Sequence, residues 1–267
     1  MKDLAGQRYW DSQYQRIRGK SSWKQRGKFG TSTYADYILW ENVYRRVFHK
    51  ATKWKVLEVG SAPGVHLLQI AEAFDIVPYG IDYSLNGIRI NRTVFSENGI
   101  DPDNAIHADF FSEEIQLQYR SSFDVVISRG FIEHFKDVQH VVELHLNLLK
   151  PGGFLVVTIP NLLGIYYILT SMFFRNVLKL HNLSIMNKTA FCSLFQSLEV
   201  IPITCGYYGT FNFGVVQVER GKLKRSIMRV GQLFQVILNG VFRLVFGKQG
   251  RESSYMSPYL LFVGVKK

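Results

Sequence analysis

The sequence predicts an α/β fold, a doubly wound and mostly parallel sheet with helices on both faces. Three observations predict it. Short Val/Ile/Leu runs recur between residues 56 and 159, stretches with helical apolar spacing separate them, and the first run ends in a small-residue turn, Gly60-Ser61-Ala62-Pro63-Gly64. Near-continuous apolar runs alternating with helices belong to parallel strands covered on both sides.

The first strand is Val56-Leu57-Glu58-Val59. Val65 to Phe74 follows with helical spacing at Leu67, Leu68, Ile70, Ala71 and Phe74. Val77 to Asp82 reads as the second strand, Leu85 to Asn98 as a helix and Ala105 to Asp109 as the third strand. Phe123 to Ser128 is a β-branched fourth strand. Val138 to Leu149 is a helix, stopped by the turn Lys150-Pro151-Gly152-Gly153. Phe154 to Ile159 is the fifth strand, ended by Pro160. Lys188 to Leu198 reads as a helix, Val200 to Cys205 as a strand, and Tyr259 to Val265 as the last strand.

Two insertions interrupt this alternation, at about 161–185 and 220–251. Pro151 to Phe174 is 24 residues without a charge. Gly152-Gly153 and Pro160-Asn161 break it, so a transmembrane span is rejected in favour of an apolar helix or lid over the site. In the second insertion Ile227, Val230, Phe234, Ile237, Val241 and Val245 recur at helical spacing, with Leu233, Leu238 and Phe242 alongside. Its uncharged stretch, Val230 to Phe242, is too short to cross a bilayer. Such a helix suits an anionic membrane surface, or packs on its own domain or on a second subunit.

Composition narrows the class. With 267 residues and 47% hydrophobic content the chain fits one large domain with insertions, and wholesale disorder is excluded. The net charge of +11 is uneven: residues 1–28 carry eight basic and two acidic residues, residues 29–219 are net acidic, and residues 220–251 carry eight basic and no acidic residues. Such flanks attract nucleic acid, an anionic membrane or an acidic ligand. Cys192 and Cys205 lack metal-ligand spacing and read as buried thiols in a reducing compartment. The segment Met1 to Gly6 has no apolar signal region. The expected location is therefore the cytoplasm, with the basic helix touching the inner face of the membrane.

The chemistry-bearing residues sit where strands end. Small residues after Val59 let a backbone approach a ligand near a helix N-terminus. Asp82, 22 residues after Gly60, ends the second strand and suits two ribose hydroxyls. Asp109, followed by Phe110-Phe111, suits an adenine amino group beside a stacking ring. Each aspartate alone reads equally as a helix N-cap; three consecutive strand ends of this kind point to a nucleoside. No Gly-x-Ser-x-Gly elbow, P-loop or metal-ligand cluster is visible.

Glu58-Val59-Gly60-Ser61-Ala62-Pro63-Gly64, Asp82, Asp109-Phe110, Phe123 to Ser128 and Leu149-Lys150-Pro151-Gly152-Gly153 together resemble the class I S-adenosylmethionine-dependent methyltransferases, small-molecule quinone- or sugar-methylating type. The resemblance is close over roughly 54–160 and loose over the whole chain. It implies a Rossmann-like, seven-stranded sheet with an antiparallel last strand. It places S-adenosylmethionine on Glu58, Gly60, Ser61, Ala62 and Gly64, on Asp82 and Tyr83, and on Asp109 and Phe110. Ser128, Arg129 and Gly130 would meet the donor's methionine end. The family pattern Gly-x-Gly-x-Gly departs at Ala62, which bears on affinity.

Tyr9-Trp10-Asp11-Ser12-Gln13-Tyr14 resembles the Trp-Asp-x-x-Tyr segment that precedes the core in many small-molecule methyltransferases, so residues 1–50 are expected to form an arm over the site and 51–267 the methyltransferase domain. Trp10 and Tyr14 read equally as packing aromatics. After strand four, His134 is the candidate general base and Glu133 the group that orients it; alternatively the pair opens the next helix and contacts the donor structurally.

Methyl transfer to oxygen of an apolar or lipid-linked small molecule is the expected function. In this family the segment after the fifth strand builds the acceptor pocket, for which Tyr166, Tyr167 and Phe173 are candidates, or else core. An RNA methyltransferase is the alternative, supported by the basic flanks and by the similar Gly-Ala-Ala-Pro-Gly loop of ribose-methylating RNA enzymes. The acidic core, the missing Asn-Pro-Pro-Tyr motif and the missing Lys-Asp-Lys-Glu set weigh against nucleic acid. A non-catalytic binding protein is the third alternative. Nothing in the sequence sets the oligomeric state.

Overall fold

A computed structural model describes residues 3–14, 33–173, 175–216 and 222–267. The basic positions of 16–28 and Arg220 lie outside the described residues, as do the side chains at 222–225, 227 and 228.

A short helix α1 (Gln7–Tyr14) precedes α2 (Tyr34–Leu39), whose axis continues through a wider turn, Trp40–Tyr44, into α3 (Arg45–Val47). Then come β1 (Trp54–Val59), α4 (Val65–Ala73), β2 (Ile76–Asp82), α5 (Leu85–Glu97), β3 (Ala105–His107), α6 (Glu113–Gln118), β4 (Phe123–Arg129) and α7 (Val138–Leu148). The chain ends with β5 (Leu149–Pro160), α8 (Ile165–Phe173), α9 (Arg175–Lys179), α10 (Lys188–Ser193), β6 (Val200–Tyr208), α11 (Lys222–Phe246) and β7 (Tyr259–Lys266).

The seven strands order as β3-β2-β1-β4-β5-β7-β6. β1 to β5 run parallel, and β7 is antiparallel to both β5 and β6. Neighbouring residues feed opposite faces, as a period of two requires: Leu57, Val126 and Val157 enter one core, Val56, Val125 and Val156 the other. Helices α6, α7, α8 and α10 cover the first face, and α2 to α5 the second. The direction of winding reverses between β1 and β4, which opens a crevice at their carboxyl ends. Val59 pairs with Ile81 on one side and with Ser128 on the other, so the site-bearing strand ends are level.

Five local expectations are corrected. β3 stops at His107, so Asp109 stands in the following loop, held by a turn in which Phe111 N–H donates to its Oδ1 (2.9 Å). Lys150-Pro151-Gly152-Gly153 lies within β5, because Leu149 already pairs with Phe123 before Gly152 turns the chain at φ 78°. α10 is shorter than Lys188 to Leu198 and ends at Ser193.

α8 forms as the apolar helix, half-exposed, rather than as a lid, none of its residues bordering the crevice. Tyr166 is fully buried, stacks on Phe211 and donates to the Met256 carbonyl (3.0 Å), while Tyr167 is 46% exposed and Phe173 packs on the core. Finally, Cys192 and Cys205 are not thiols. The packing of α10 on β6 brings their Cα atoms to 5.9 Å, and the two are disulfide-bonded. They give no support to a reducing compartment. Among the described residues no helix is long and apolar enough to cross a membrane.

Candidate active site

The turn after β1 is built to admit a ligand. Gly60 sits at φ 70°, and a Cβ there would come within 2.9 Å of the Phe131 ring. Gly64, at φ 85°, opens α4 where a side chain would collide with Asn91. Only glycine meets both demands. Ser61 faces inward and accepts from Asn91 Nδ2 (2.8 Å).

This turn borders a cavity of about 310 Å³ whose wall includes Gly60, Ala62, Asp82, Tyr83, Asp109 and Phe110. The two carboxylates predicted from strand spacing therefore face one hollow. Asp82 is buried; its oxygens accept from Ser84 N–H (2.8 Å) and Ala62 N–H (3.3 Å), and burial pushes its carboxyl up to about 6 despite those donors. Ser84 also caps α5, its hydroxyl oxygen accepting from Gly87 N–H (3.1 Å). From β4, Arg129 and Gly130 reach the wall, whereas Ser128 is fully buried and lines no cavity described here.

α1 closes the opposite side. Trp10 and Tyr14 line the cavity, and Tyr14 donates to the Ala62 carbonyl (3.0 Å). Ser84 Oγ donates to Asp11 (2.6 Å), Gln7 to the Tyr83 carbonyl (3.0 Å), and Tyr83 to Asp3 (2.7 Å). These four hydrogen bonds tie the arm to the turns after β1 and β2.

A second cavity, also about 310 Å³, adjoins the first at Gly60, Ala62, Arg129 and Gly130. Val65, Ile159, Pro160, Tyr208 and Tyr259 supply much of its wall. Glu58 lies at its edge, where Tyr44, His66 and Glu58 form a chain: Tyr44 hydroxyl to His66 Nε2 and His66 Nδ1 to Glu58 Oε1, both 2.9 Å. Burial, reinforced by the Arg129 charge, holds the His66 pKa below its usual value.

A family profile described as a methyltransferase domain matches residues 7–200. The chain is a class I S-adenosylmethionine-dependent methyltransferase. EEF1A lysine methyltransferase 2 of Danio rerio is 22% identical over 59% of this chain and 70% of its own. A ubiquinone biosynthesis O-methyltransferase of Escherichia coli is 31% identical over 37% of this chain and 40% of its own, so this match spans well under half of that relative. Among solved structures, phosphoethanolamine N-methyltransferase 2 of Haemonchus contortus with S-adenosyl-L-methionine superposes with a TM-score of 0.60, at 16% identity, over 98% of this chain and 59% of that one. A putative sarcosine dimethylglycine methyltransferase of Galdieria sulphuraria gives 0.57 at 14% identity, over 87% and 85%. At such identities these two structures speak for the fold.

The first cavity has features that fit the family's donor. A buried carboxylate, a glycine cradle that a Cβ would fill and an aromatic wall meet around one partly open hollow. On the same wall stands His134. Its Nδ1 lies 2.7 Å from the Leu180 carbonyl; a carbonyl only accepts, so Nδ1 carries the proton and Nε2 the lone pair. Burial lowers its pKa, partly offset by that carbonyl, by the Asp3 charge and by the Gly130 backbone. Glu133 Oε1 is 3.9 Å from Nε2, beyond hydrogen-bond reach, so Leu180 rather than Glu133 fixes the ring. Glu133 is buried, its Oε2 has no partner, and burial pushes its carboxyl up to about 8.

The sequence reading missed His181. Its ring lies 4.6 Å from that of His134, its Nδ1 is held by the Val177 carbonyl (2.7 Å), and burial brings its pKa to about 4. Among the described residues, Glu133, His134 and His181 form the one group whose metal-ligand-type atoms lie within 4.8 Å of one another. No signal in the sequence links His181 to a motif 47 positions upstream.

Proposed function

We propose that this methyltransferase methylates an oxygen of a small hydrophobic or lipid-linked acceptor. The observation that carries the reading is the meeting of two cavities across Gly60, Ala62, Arg129 and Gly130, which gives a second compartment beside the one that suits the donor. The first holds Asp82 and Asp109 among aromatic rings; the second sets Val65, Ile159, Pro160, Tyr208 and Tyr259 beside Glu58, His66 and Arg129, which suits an acceptor with an apolar body and a polar group.

In this reading Asp82, beside Tyr83, accepts from the ribose hydroxyls, and Asp109 with Phe110 receives the adenine. The turn from Gly60 to Gly64 and residues Arg129 and Gly130 receive the methionine end, with Glu58, Ser61 and Ser128 supporting the turn and strand. S-adenosylmethionine supplies a methyl group already activated on a sulfonium sulfur. The chain's task is to align the acceptor oxygen and exclude water, for which α1 and its tethers are suited.

His134 lines the first cavity and not the second, so its Nε2 takes the hydroxyl proton of an acceptor whose oxygen reaches past Gly130 into the first cavity. Glu133 is held neutral at neutral pH, so it puts no charge beside His134 and the imidazole stays a neutral base. The O-methylating relative supports oxygen as the acceptor atom over its own matched span.

Incubation with methyl-labelled S-adenosylmethionine and separate lipid, aqueous, protein and RNA fractions tests this. The expected label appears as a methyl ether in the lipid fraction. Label confined to RNA, protein or an amine overturns the acceptor class while leaving donor binding intact.

A further inference from the structure

α11 leaves an apolar stripe facing outward. A surface helix normally turns its apolar stripe inward. Here the two buried residues, set among partly buried Leu238, Phe242 and Phe246, are polar and satisfied: Gln235 Oε1 accepts from Phe213 N–H (2.6 Å), and Asn239 donates to the Phe211 carbonyl (2.9 Å) while accepting from Thr210 (3.0 Å). Both side chains are buried. Tyr34 donates to the Gly247 carbonyl (2.8 Å), Asn42 to the Lys248 carbonyl (2.7 Å), and Arg243 stacks 4.5 Å over Tyr37. The helix and the turn after it are therefore anchored to the domain by polar contacts, with Leu238 packed on the core and the edge of Phe234 on Phe211.

Its apolar side faces out. Val230, Leu233, Phe234, Ile237, Val241, Leu244 and Val245 are all more than half exposed, Leu244 to 89%. At 100° per residue these seven span about a third of the helix circumference, and at 1.5 Å per residue they extend about 22 Å. An apolar patch of that length on a folded surface marks an interaction site.

We propose that this face seats α11 in the headgroup region of an anionic bilayer, lying on the membrane rather than crossing it. Charge selects this partner. Residues 220–251 carry eight basic and no acidic residues. Arg229 borders the stripe and is exposed, as is Arg251 beyond the helix. The acid that faces Lys248, Glu41, is 10% exposed beneath it. A second copy of the chain would oppose two such cationic segments across a two-fold axis, whereas anionic lipid complements one. The inner face rules out a span, since its glutamine and asparagine are already paired within the domain. The inference stands apart from the acceptor proposed above.

Flotation of the full chain with vesicles of phosphatidylcholine, alone or mixed with phosphatidylserine, tests it. The expected result is recovery with the mixed vesicles, at least about tenfold weaker with phosphatidylcholine alone or in high salt. Leu233→Gln with Ile237→Gln reduces recovery by about tenfold or more, while calorimetry still detects S-adenosylhomocysteine binding. Should that pair impair folding, Leu244→Gln at the most exposed position gives the same loss in smaller measure. A wild-type chain that stays unbound with the mixed vesicles overturns the proposal. So does a dimer in light scattering that these substitutions dissociate without any vesicle binding, which would assign the face to a second copy.

Discussion

Asp82 carries a cost that the fold accepts. A carboxyl whose folded pKa is about 6, against 3.8 when free, prefers its proton in the folded state. The penalty for burying its charge is thus fully present above pH 6 and disappears as the pH falls below the free value. Replacing Asp82 by Asn removes that charge, and thermal melts at pH 8 should show unchanged or higher stability, by at most about 3 kcal/mol. Calorimetry should show S-adenosylhomocysteine binding lost by about 100-fold, because a pair of strong acceptors is gone. In the wild type the same affinity should decline as the pH drops through about 6. For His134 the direction is opposite. Its pKa lies below the usual histidine value, so the base form survives into mild acid, and the acidic limb of the kcat/KM profile should lie below that of a free imidazole. His134→Asn should lower kcat by roughly 100-fold or more with donor binding retained; equal loss of kcat and donor affinity would assign the residue to donor contact instead. Asp82 was legible as a cavity residue because it ends β2, whereas Asp109 stands in the loop after β3, at a position that reads in sequence as a strand end. The His134–His181 contact was not legible, because a non-repeating loop after α9 creates it.

Elements divide by the kind of signal that specifies them. β1, β2, β4 and β5 are written in runs of branched residues, since both faces of a central parallel strand are buried and sequence alone reveals that. Helix α11 is written in its periodicity too, but periodicity gives two faces and leaves open which one the domain covers; Gln235 and Asn239 decide it through backbone partners 22 and 28 residues earlier. α1 carries a local resemblance, while its hydrogen bonds to the turns after β1 and β2 are contacts that no local rule supplies. Removing its cavity-lining ring with Trp10→Ala should weaken S-adenosylhomocysteine binding by about tenfold while kcat at saturating donor changes less, because the arm supplies wall to that cavity. The Cys192–Cys205 bond ties α10 to β6 across 13 positions. A loop of that size stabilises by up to about 3 kcal/mol through the unfolded chain. Cys192→Ser or reduction should lower the melting midpoint by several degrees, about 2–4 °C per kcal/mol in a chain this long, with donor binding unchanged, since neither cysteine borders a cavity described here. An unchanged midpoint would mean that packing alone holds α10.

At the scale of the molecule, the reversal of winding between β1 and β4 does most of the positioning. It opens one crevice, sets the turn after β1 and the end of β4 on its two sides, and lets β7 insert antiparallel beyond β5 to carry α8, α10 and α11 away from the donor cavity. The donor side and the outward face of α11 are then separate devices on one sheet, and a single melting experiment can tell them apart. A ligand that binds only the folded state stabilises it by RT ln(1 + [L]/Kd), about 2.7 kcal/mol at 100 times Kd. For a chain of this size that corresponds to a rise of roughly 5–10 °C. S-adenosylhomocysteine should produce such a rise in the wild type and in Leu233→Gln/Ile237→Gln, because no residue of α11 lines the donor cavity. In Asp82→Asn, with binding about 100-fold weaker, the rise should shrink to about 1–2 °C. A variant of α11 that also loses it would couple the outward face to the cavity and contradict the separation that the sheet imposes.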